Sequence, residues 1–339
     1  MRVGIVGVGF MGWIHYQAYQ RSENADLIGF CSRDEPKRSG DWRSIRGNFG
    51  PPGEQIDVSD LVVTESLDQL LGYDNIDLVD ICLPPHLHVD AVKRSLAAGK
   101  YVLCEKPLSL TAKEADELVS IGDGRLMVAH LLPMFPQYDF LVRAASDQRF
   151  GKLLGGRFKR VIGPPSWIPD FYDPARVGGP LIDLHVHDAH LIRLLFGMPS
   201  SVHSGKRMHV DDDGVSSQVP AYVDTIFHFA DASLVVSAVS GVIRQNSRGF
   251  THGYDVQFEK ANVQFEFAAF ADGSAEQMRM VIAHQDGSVE RPTWDAGDDV
   301  DAFVKEIDAA ATFVAGGAMH DALDPRIAAD AIRICEMQM

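Results

Sequence analysis

The feature that most restricts this chain is Gly7-Val8-Gly9-Phe10-Met11-Gly12, directly after the apolar run Arg2-Val3-Gly4-Ile5-Val6. A G-x-G-x-x-G segment that ends a strand and opens a helix is the phosphate turn of a dinucleotide-binding βαβ unit. Each glycine has its own duty. Gly7 allows the tight turn, Gly9 lets the backbone approach a pyrophosphate, and Gly12 lets the helix pack on the strand. Phe10 and Met11 begin the helix whose unpaired N–H groups face the phosphate. A glycine cluster alone can arise by chance; its place after the first strand argues for dinucleotide binding.

The pattern downstream agrees with that start. Strand-like runs at Ala25–Cys31, Leu61–Thr64, Asp77–Leu83, Tyr101–Glu105 and Arg125–His130 alternate with helical segments at Met11–Gln20, from Ser66, His86–Ala98 and Thr111–Ile121. Such alternation predicts a doubly wound parallel sheet over residues 1–130. After Pro133 the grammar changes. One helix is expected at Gln137–Asp147 and one at Leu181–Phe196. Strand-like runs dominate between and beyond them, at Leu153–Val161, Tyr222–Phe229, Ser233–Val239, Tyr254–Phe258 and Val263–Phe267. Asp299–Val314 and Pro325–Met337 read as closing helices. The second domain, 131–339, is therefore an α+β domain with a mainly antiparallel sheet, and its last helix could pack back on the first. A chain of 339 residues exceeds the ~250–300 beyond which one core usually splits.

Composition narrows the partners. The formal net charge of −16 argues against nucleic acid or an anionic membrane surface, because phosphate binding needs a basic footprint. No apolar run nears the ~20 residues that span a bilayer, and no signal pattern precedes the first strand. Cys31, Cys82, Cys104 and Cys335 show no paired spacing, so neither a disulfide framework nor a zinc knuckle is indicated. A cytoplasmic protein is the expectation.

Cofactor choice is read at the end of the second strand, Cys31-Ser32-Arg33-Asp34. An acidic residue there would hold the ribose 2′-OH of NAD, and an arginine would accommodate the 2′-phosphate of NADP. Ser32 and Arg33 favour NADP, with NAD possible if Arg33 only lies over adenine. Arg38–Gly53 reads as a loop near the adenosine end. Pro84-Pro85-His86-Leu87-His88 follows a strand at its carboxyl end, where open α/β sheets bind ligands. Pro84 would shape a loop at the nicotinamide ribose and His86 would begin a helix, with His88 an ordinary first-turn residue.

Glu105-Lys106-Pro107 ends the next strand. Proline holds Lys106 extended, facing the same crevice, where an ammonium can hold a hydroxyl or polarise a carbonyl; a surface pair with Glu105 is the plainer alternative. Asp183 and His187 stand one helical turn apart and would share a face. A histidine can take an alcohol's proton while a carboxylate orients it. His185, Asp188 and His190 crowd the same segment, but no one helical face presents all its histidines, so no metal is expected.

These motifs together resemble the glucose–fructose oxidoreductase/inositol dehydrogenase (Gfo/Idh/MocA) family. The resemblance rests on Gly7-x-Gly9-x-x-Gly12, Pro84-Pro85-His86-Leu87-His88, Glu105-Lys106-Pro107 and Gly178-Gly179-x-Leu181-x-Asp183-x-x-x-His187-Asp188. It implies a Rossmann domain followed by a large open sheet through which subunits commonly form dimers or tetramers. It also implies an NAD(P)-dependent oxidoreductase of a sugar or polyol, with Lys106, Asp183 and His187 as the catalytic trio, His187 as acid/base and His185 in reserve. Glu105 would border the cofactor. His130, Trp167, Phe171, Tyr172 and Arg176 could line a sugar-sized pocket, and each could equally be packing. Redox-neutral, NAD-assisted glycoside cleavage and a non-catalytic cofactor-sensing regulator are the alternatives.

Overall fold

The computed structural model describes residues 1–165, 170–211, 214–294 and 297–339. The chain divides into two units. The first comprises Met1–Ser109, Lys113–Met134 and Ala296–Ala329; the second comprises Leu110–Ala112, Phe135–Asp295 and Asp330–Met339.

Six strands build the first unit's sheet: β1 (Arg2–Val6), β2 (Asp26–Cys31), β3 (Val62–Thr64), β4 (Leu78–Ile81), β5 (Tyr101–Glu105) and β6 (Leu126–Ala129). They pair in parallel in the order β3-β2-β1-β4-β5-β6, the dinucleotide-binding arrangement with its crevice where the order reverses beside β1. The helices are α1 (Phe10–Tyr19), a short α2 (Glu35–Arg38), α3 (Leu67–Leu71), α4 (His88–Ala97) and α5 (Ala112–Ile121). β4 and β6 are buried at every position, as strands covered on both faces must be. Ser66 opens α3 with a capping box: its side chain accepts from the Gln69 N–H, and the Gln69 side chain returns to the Ser66 N–H.

One local expectation changes here. The segment Pro85–Leu87 is a single 3₁₀ turn and α4 starts at His88, so His86 lies before the helix. The loop Arg38–Gly53 is packed against α1. Trp42 is fully buried, with Trp13, Tyr16 and Phe30 around its ring, and the Trp13 indole N–H donates to Pro51 O at 2.8 Å. Aromatic area drives that packing.

In the second unit, α6 (Pro136–Ser146) precedes β7 (Leu153–Ile162), and α7 (Val186–Phe196) precedes β8 (Ser201–Val210), β9 (Ser216–His228), β10 (Val235–Val242), β11 (Arg248–Phe258), β12 (Ala261–Phe270), β13 (Ala275–His284) and β14 (Val289–Glu290). The eight strands run β14-β13-β12-β11-β7-β10-β9-β8. Every pairing is antiparallel except β7 with β10. Phe158 of β7 faces Tyr254 on one side and Ala238 on the other. One face is apolar and covered: Val223, Thr225 and Phe227 of β9 point in, while Ile226 between them is half exposed, the period-two alternation of a sheet with one solvated face. The remaining helices are α8 (Val300–Val314) and α9 (Pro325–Met337).

Candidate active site

The glycine turn is built as its sequence requires. Gly7 adopts φ +98°, and a Cβ there would meet Cys82 O at 2.8 Å. A Cβ on Gly12 would lie 2.1 Å from Gly7 O, so helix and turn can only close on a glycine. A Cβ on Gly9 would meet nothing within 4 Å. The space above Gly9 is therefore open to a ligand and is not packed by protein. Gly9 is the N-cap of α1, with no side-chain cap and no acidic residue in the first turn, which leaves the helix N–H groups and positive dipole end for an anion. Phe10 and Met11 are half-buried in that first turn, and the Phe10 ring packs edge-on to Phe49 at 4.8 Å.

A cleft of about 490 Å³ runs from this turn across the carboxyl ends of the strands. Gly7, Val8 and Gly9 floor it, Ser32, Arg33, Asp34 and Lys37 stand at one side, and Leu83, Pro84 and Leu87 at the other. The Asp34 carboxylate accepts the Lys37 N–H at 3.3 Å as the cap of α2. Arg33 is exposed and Ser32 buried. Arg94 of α4 also borders the cleft and ion-pairs with Asp68 and Asp90; helical periodicity alone did not mark it. The cleft, its open glycine and its uncapped helix fit a dinucleotide.

Lys106 is half-buried at the end of β5, before a cis bond to Pro107. Its N–H donates to Glu105 Oε2 at 3.0 Å, and Glu105 Oε1 lies 3.1 Å from His15 Nε2. The other His15 nitrogen meets Asp80 Oδ2 at 2.7 Å, and Tyr19 donates to the same oxygen at 2.9 Å. Glu105 is thus a buried anchor of this turn. Burial works against a charge on His15, but Asp80, aided by Cys82, outweighs it and holds the imidazole well above its usual range. His15, Asp80 and Cys82 have donor atoms within 4.8 Å of one another; an imidazolium donating to two carboxylates has no lone pair for a metal. Glu306 of α8 is fully buried, and neither oxygen has a hydrogen-bond partner among the described residues. Burial, with Glu105 and Asp80 adding to it against His15, raises its carboxyl well above the ordinary range. His88, read as an ordinary first-turn residue, and His15, which no sequence motif marks, are the residues that sequence reasoning missed here.

Asp183 and His187 belong to the second unit. Gly178 and Gly179 adopt φ +79° and +72°, and the chain then makes a π-helical turn, Leu181–His185, before α7. A continuous α-helix was expected. Single π turns recur at functional sites. From Val177 to Ile192 every residue is buried except Asp183 and His187. His185 has no exposed surface, and neither ring nitrogen has a hydrogen-bond partner among the described residues. Burial lowers its pKa to about 4, against an opposing pull from Asp188. A neutral, sealed ring has no surface through which to exchange a proton with substrate. Asp188 instead pairs with the buried Arg160 through two bonds of 3.0 and 3.2 Å. Among the pocket candidates, Tyr172 stacks on His209 at 3.6 Å, Phe171 is core, and Arg176 pairs with Asp170 at 2.6 Å. His130 is buried just after β6. Trp167 lies outside the described residues.

Residues 1–128 match the model described as "Oxidoreductase family, NAD-binding Rossmann fold", and residues 141–264 match "GFO/IDH/MocA C-terminal domain". The inositol 2-dehydrogenase of Rhizobium meliloti (strain 1021) is 25% identical over 346 residues, spanning 98% of this chain and 95% of that protein. Two solved structures share the fold. A 3-ketoreductase from Actinomadura kijaniata, in complex with NADP and TDP-benzene, superposes with a TM-score of 0.74 at 19% identity, over 99% of this chain and 96% of that one. An aldose-aldose oxidoreductase from Caulobacter crescentus gives 0.76 at 17% identity, over 99% and 95%. The glycine turn, the parallel sheet in its dinucleotide-binding order and the open second sheet are thus family features, and the chain is a member of the GFO/IDH/MocA family of NAD-binding oxidoreductases.

Proposed function

We propose that this chain interconverts a secondary alcohol and its carbonyl in a sugar or polyol, with His187 as acid/base, Asp183 as its supporting carboxylate and Lys106 holding the reacting oxygen. The observation that carries this reading is the burial pattern around α7. In a run of otherwise buried residues, Asp183 and His187 alone are partly exposed. A nicotinamide dinucleotide bound over Gly9 supplies the hydride chemistry. His187 takes the alcohol's proton in the oxidative direction and returns it in the reductive one, and the Lys106 ammonium stabilises the developing charge on oxygen. The inositol dehydrogenase likeness supports a polyol or sugar. Ser32, Arg33 and Lys37 beside the cleft, with Asp34 engaged as a helix cap, support NADP over NAD. The half-exposed Ile226 and Met278 on the open sheet support a homodimer or homotetramer. The absence, among the described residues, of a helix fit to cross a membrane leaves a cytoplasmic location as the reading.

Titration with NADPH and NADH, followed by nicotinamide fluorescence, tests the cofactor. Tighter NADPH binding is expected, and Arg33→Ala should weaken NADPH about tenfold, or about 1.4 kcal/mol, while leaving NADH nearly unchanged. A screen of myo-inositol and aldoses with both oxidised cofactors tests the chemistry. With the substrate found, His187→Gln should lower kcat by about 10²–10⁴ with cofactor affinity retained. Full kcat in that variant, or binding of neither cofactor, would overturn the reading. Nicotinamide that is bound and unchanged after turnover would instead identify redox-neutral cleavage.

A further inference from the structure

Two fully buried histidines converge on the turn that carries Lys106. His15 reaches it from α1: its Nε2 is 3.1 Å from Glu105 Oε1, and the second oxygen of that carboxylate accepts the Lys106 N–H at 3.0 Å. His88 reaches it from the start of α4: its Nδ1 is 2.7 Å from Pro107 O, and its Nε2 is 2.7 Å from Leu83 O. The residues on either side of Lys106 are therefore tied down separately, one by its side chain and one by its carbonyl. Leu83 lines the cofactor cleft, so the His88 ring lies between the cleft wall and the lysine turn; burial lowers its pKa, and a neutral ring donates to one of these two carbonyls at a time. Neither ring has any exposed surface. Burying charged and polar groups in this way costs stability that an apolar residue of similar size would not. What the two rings supply in return is a fixed backbone at Glu105–Pro107.

We propose that His15 and His88 are positioning residues for Lys106, acting through the Glu105 carboxylate and the Pro107 carbonyl to hold its ammonium at one place beside the cofactor. The proposal rests on the reading of Lys106 as a group of the active site. His15 is itself anchored by Asp80, which also accepts from Tyr19, so the support runs from the middle of the sheet to the lysine turn. Phe303 of α8 packs on the His15 ring at 5.6 Å and closes it off from water. Misplacement of a reacting group by about 1 Å can cost a hundredfold in rate, which is why the lysine's backbone, and not only its charge, matters.

The test follows the Lys106 amine directly. The full chain is trace-acetylated with and without saturating NADPH or NADH, and labelling of Lys106 is read by mass spectrometry against the exposed Lys113. In the native chain, bound cofactor should slow Lys106 acetylation by about tenfold. In His15→Gln and His88→Gln the slowing should fall to about twofold or less, while His15→Gln keeps its NADPH affinity. Glu105→Gln, which retains an acceptor for the Lys106 N–H, should keep more of the effect than Glu105→Ala; a purely structural role would lower stability in all four without moving the shielding. Shielding in folded His15 and His88 variants equal to that of the native chain overturns the positioning role. Absence of shielding in the native chain instead overturns the reading of Lys106 itself. Should the histidine variants not fold, hydrogen exchange of the native chain decides. The Lys106 amide should exchange about a hundredfold more slowly than a free peptide without cofactor, and exchange at the free-peptide rate overturns the proposal.

Discussion

Gly9 and Gly12 stand three residues apart in one turn, yet substitution should separate binding from stability. A methyl on Gly12 would collide with the backbone oxygen of Gly7, and no rotamer relieves a contact to backbone. Gly12→Ala should therefore cost about 1–3 kcal/mol of stability together with cofactor binding. A methyl on Gly9 meets only open space. Gly9→Ala should melt within a few degrees of the native chain and still lose at least about tenfold in NADPH affinity, since the backbone could no longer approach the pyrophosphate. Thermal melts and fluorescence titrations on the two variants check both halves. The glycine turn was legible in the sequence because its parts interact with one another over six residues. His15 and His88 were not, because their partners arrive from elsewhere: Asp80 and Glu105 lie on strands 65 and 90 residues from His15. In one dimension each is a polar residue in a helix. Only the folded sheet brings two carboxylates to His15 and the Pro107 carbonyl to His88.

Elements show the same division. β5 and β6 read clearly because buried parallel strands are continuous apolar runs. β8 and β13 did not, because no residue of β8 is fully buried and the first five of β13 are exposed, which leaves little apolar alternation to detect. The start of α7 was legible as a helix but not as a π turn, since periodicity cannot distinguish the two over five residues. What holds this element on its sheet is the buried Arg160–Asp188 pair, beside His187. Burial disfavours the Arg160 charge, but Asp188 and Tyr138 keep the guanidinium ionised. Asp188→Ala would leave that cation buried without its carboxylate and should cost about 3–5 kcal/mol. The double replacement Arg160→Met with Asp188→Leu removes both charges and should cost far less. Urea midpoints for Arg160→Met, Asp188→Leu and the double variant provide the cycle; additive losses would mean that the pair does not act as a unit.

Across the whole molecule, buried groups set the pH range of stability from both sides. Burial lowers His185 to about 4 and His252 to about 3, and His252 Nδ1 accepts the Tyr138 hydroxyl at 2.6 Å, as a neutral ring can. Between those values and the ordinary 6.5 the unfolded chain binds protons that the folded chain refuses. Stability therefore falls as pH drops below 6.5, by about 1.4 kcal/mol per pH unit for each such group. His15 acts in the opposite sense: its contribution is complete below 6.5 and is lost as pH rises through its raised folded value. Glu306 adds to that alkaline loss. Above its ordinary 4.5 the unfolded carboxyl gives up a proton that the folded one keeps, so stability declines with rising pH until the folded group also ionises. Glu306→Gln removes that proton from both states. Unfolding by urea from about pH 5 to about pH 8 should show the native chain losing stability more steeply than the variant, by up to about 1.4 kcal/mol per pH unit over the interval in which Glu306 stays protonated. His185→Gln should flatten the acid side instead. Parallel curves for the native chain and Glu306→Gln would mean that Glu306 is ionised when folded, and the buried anion would then need a partner that the packing around His15 does not provide.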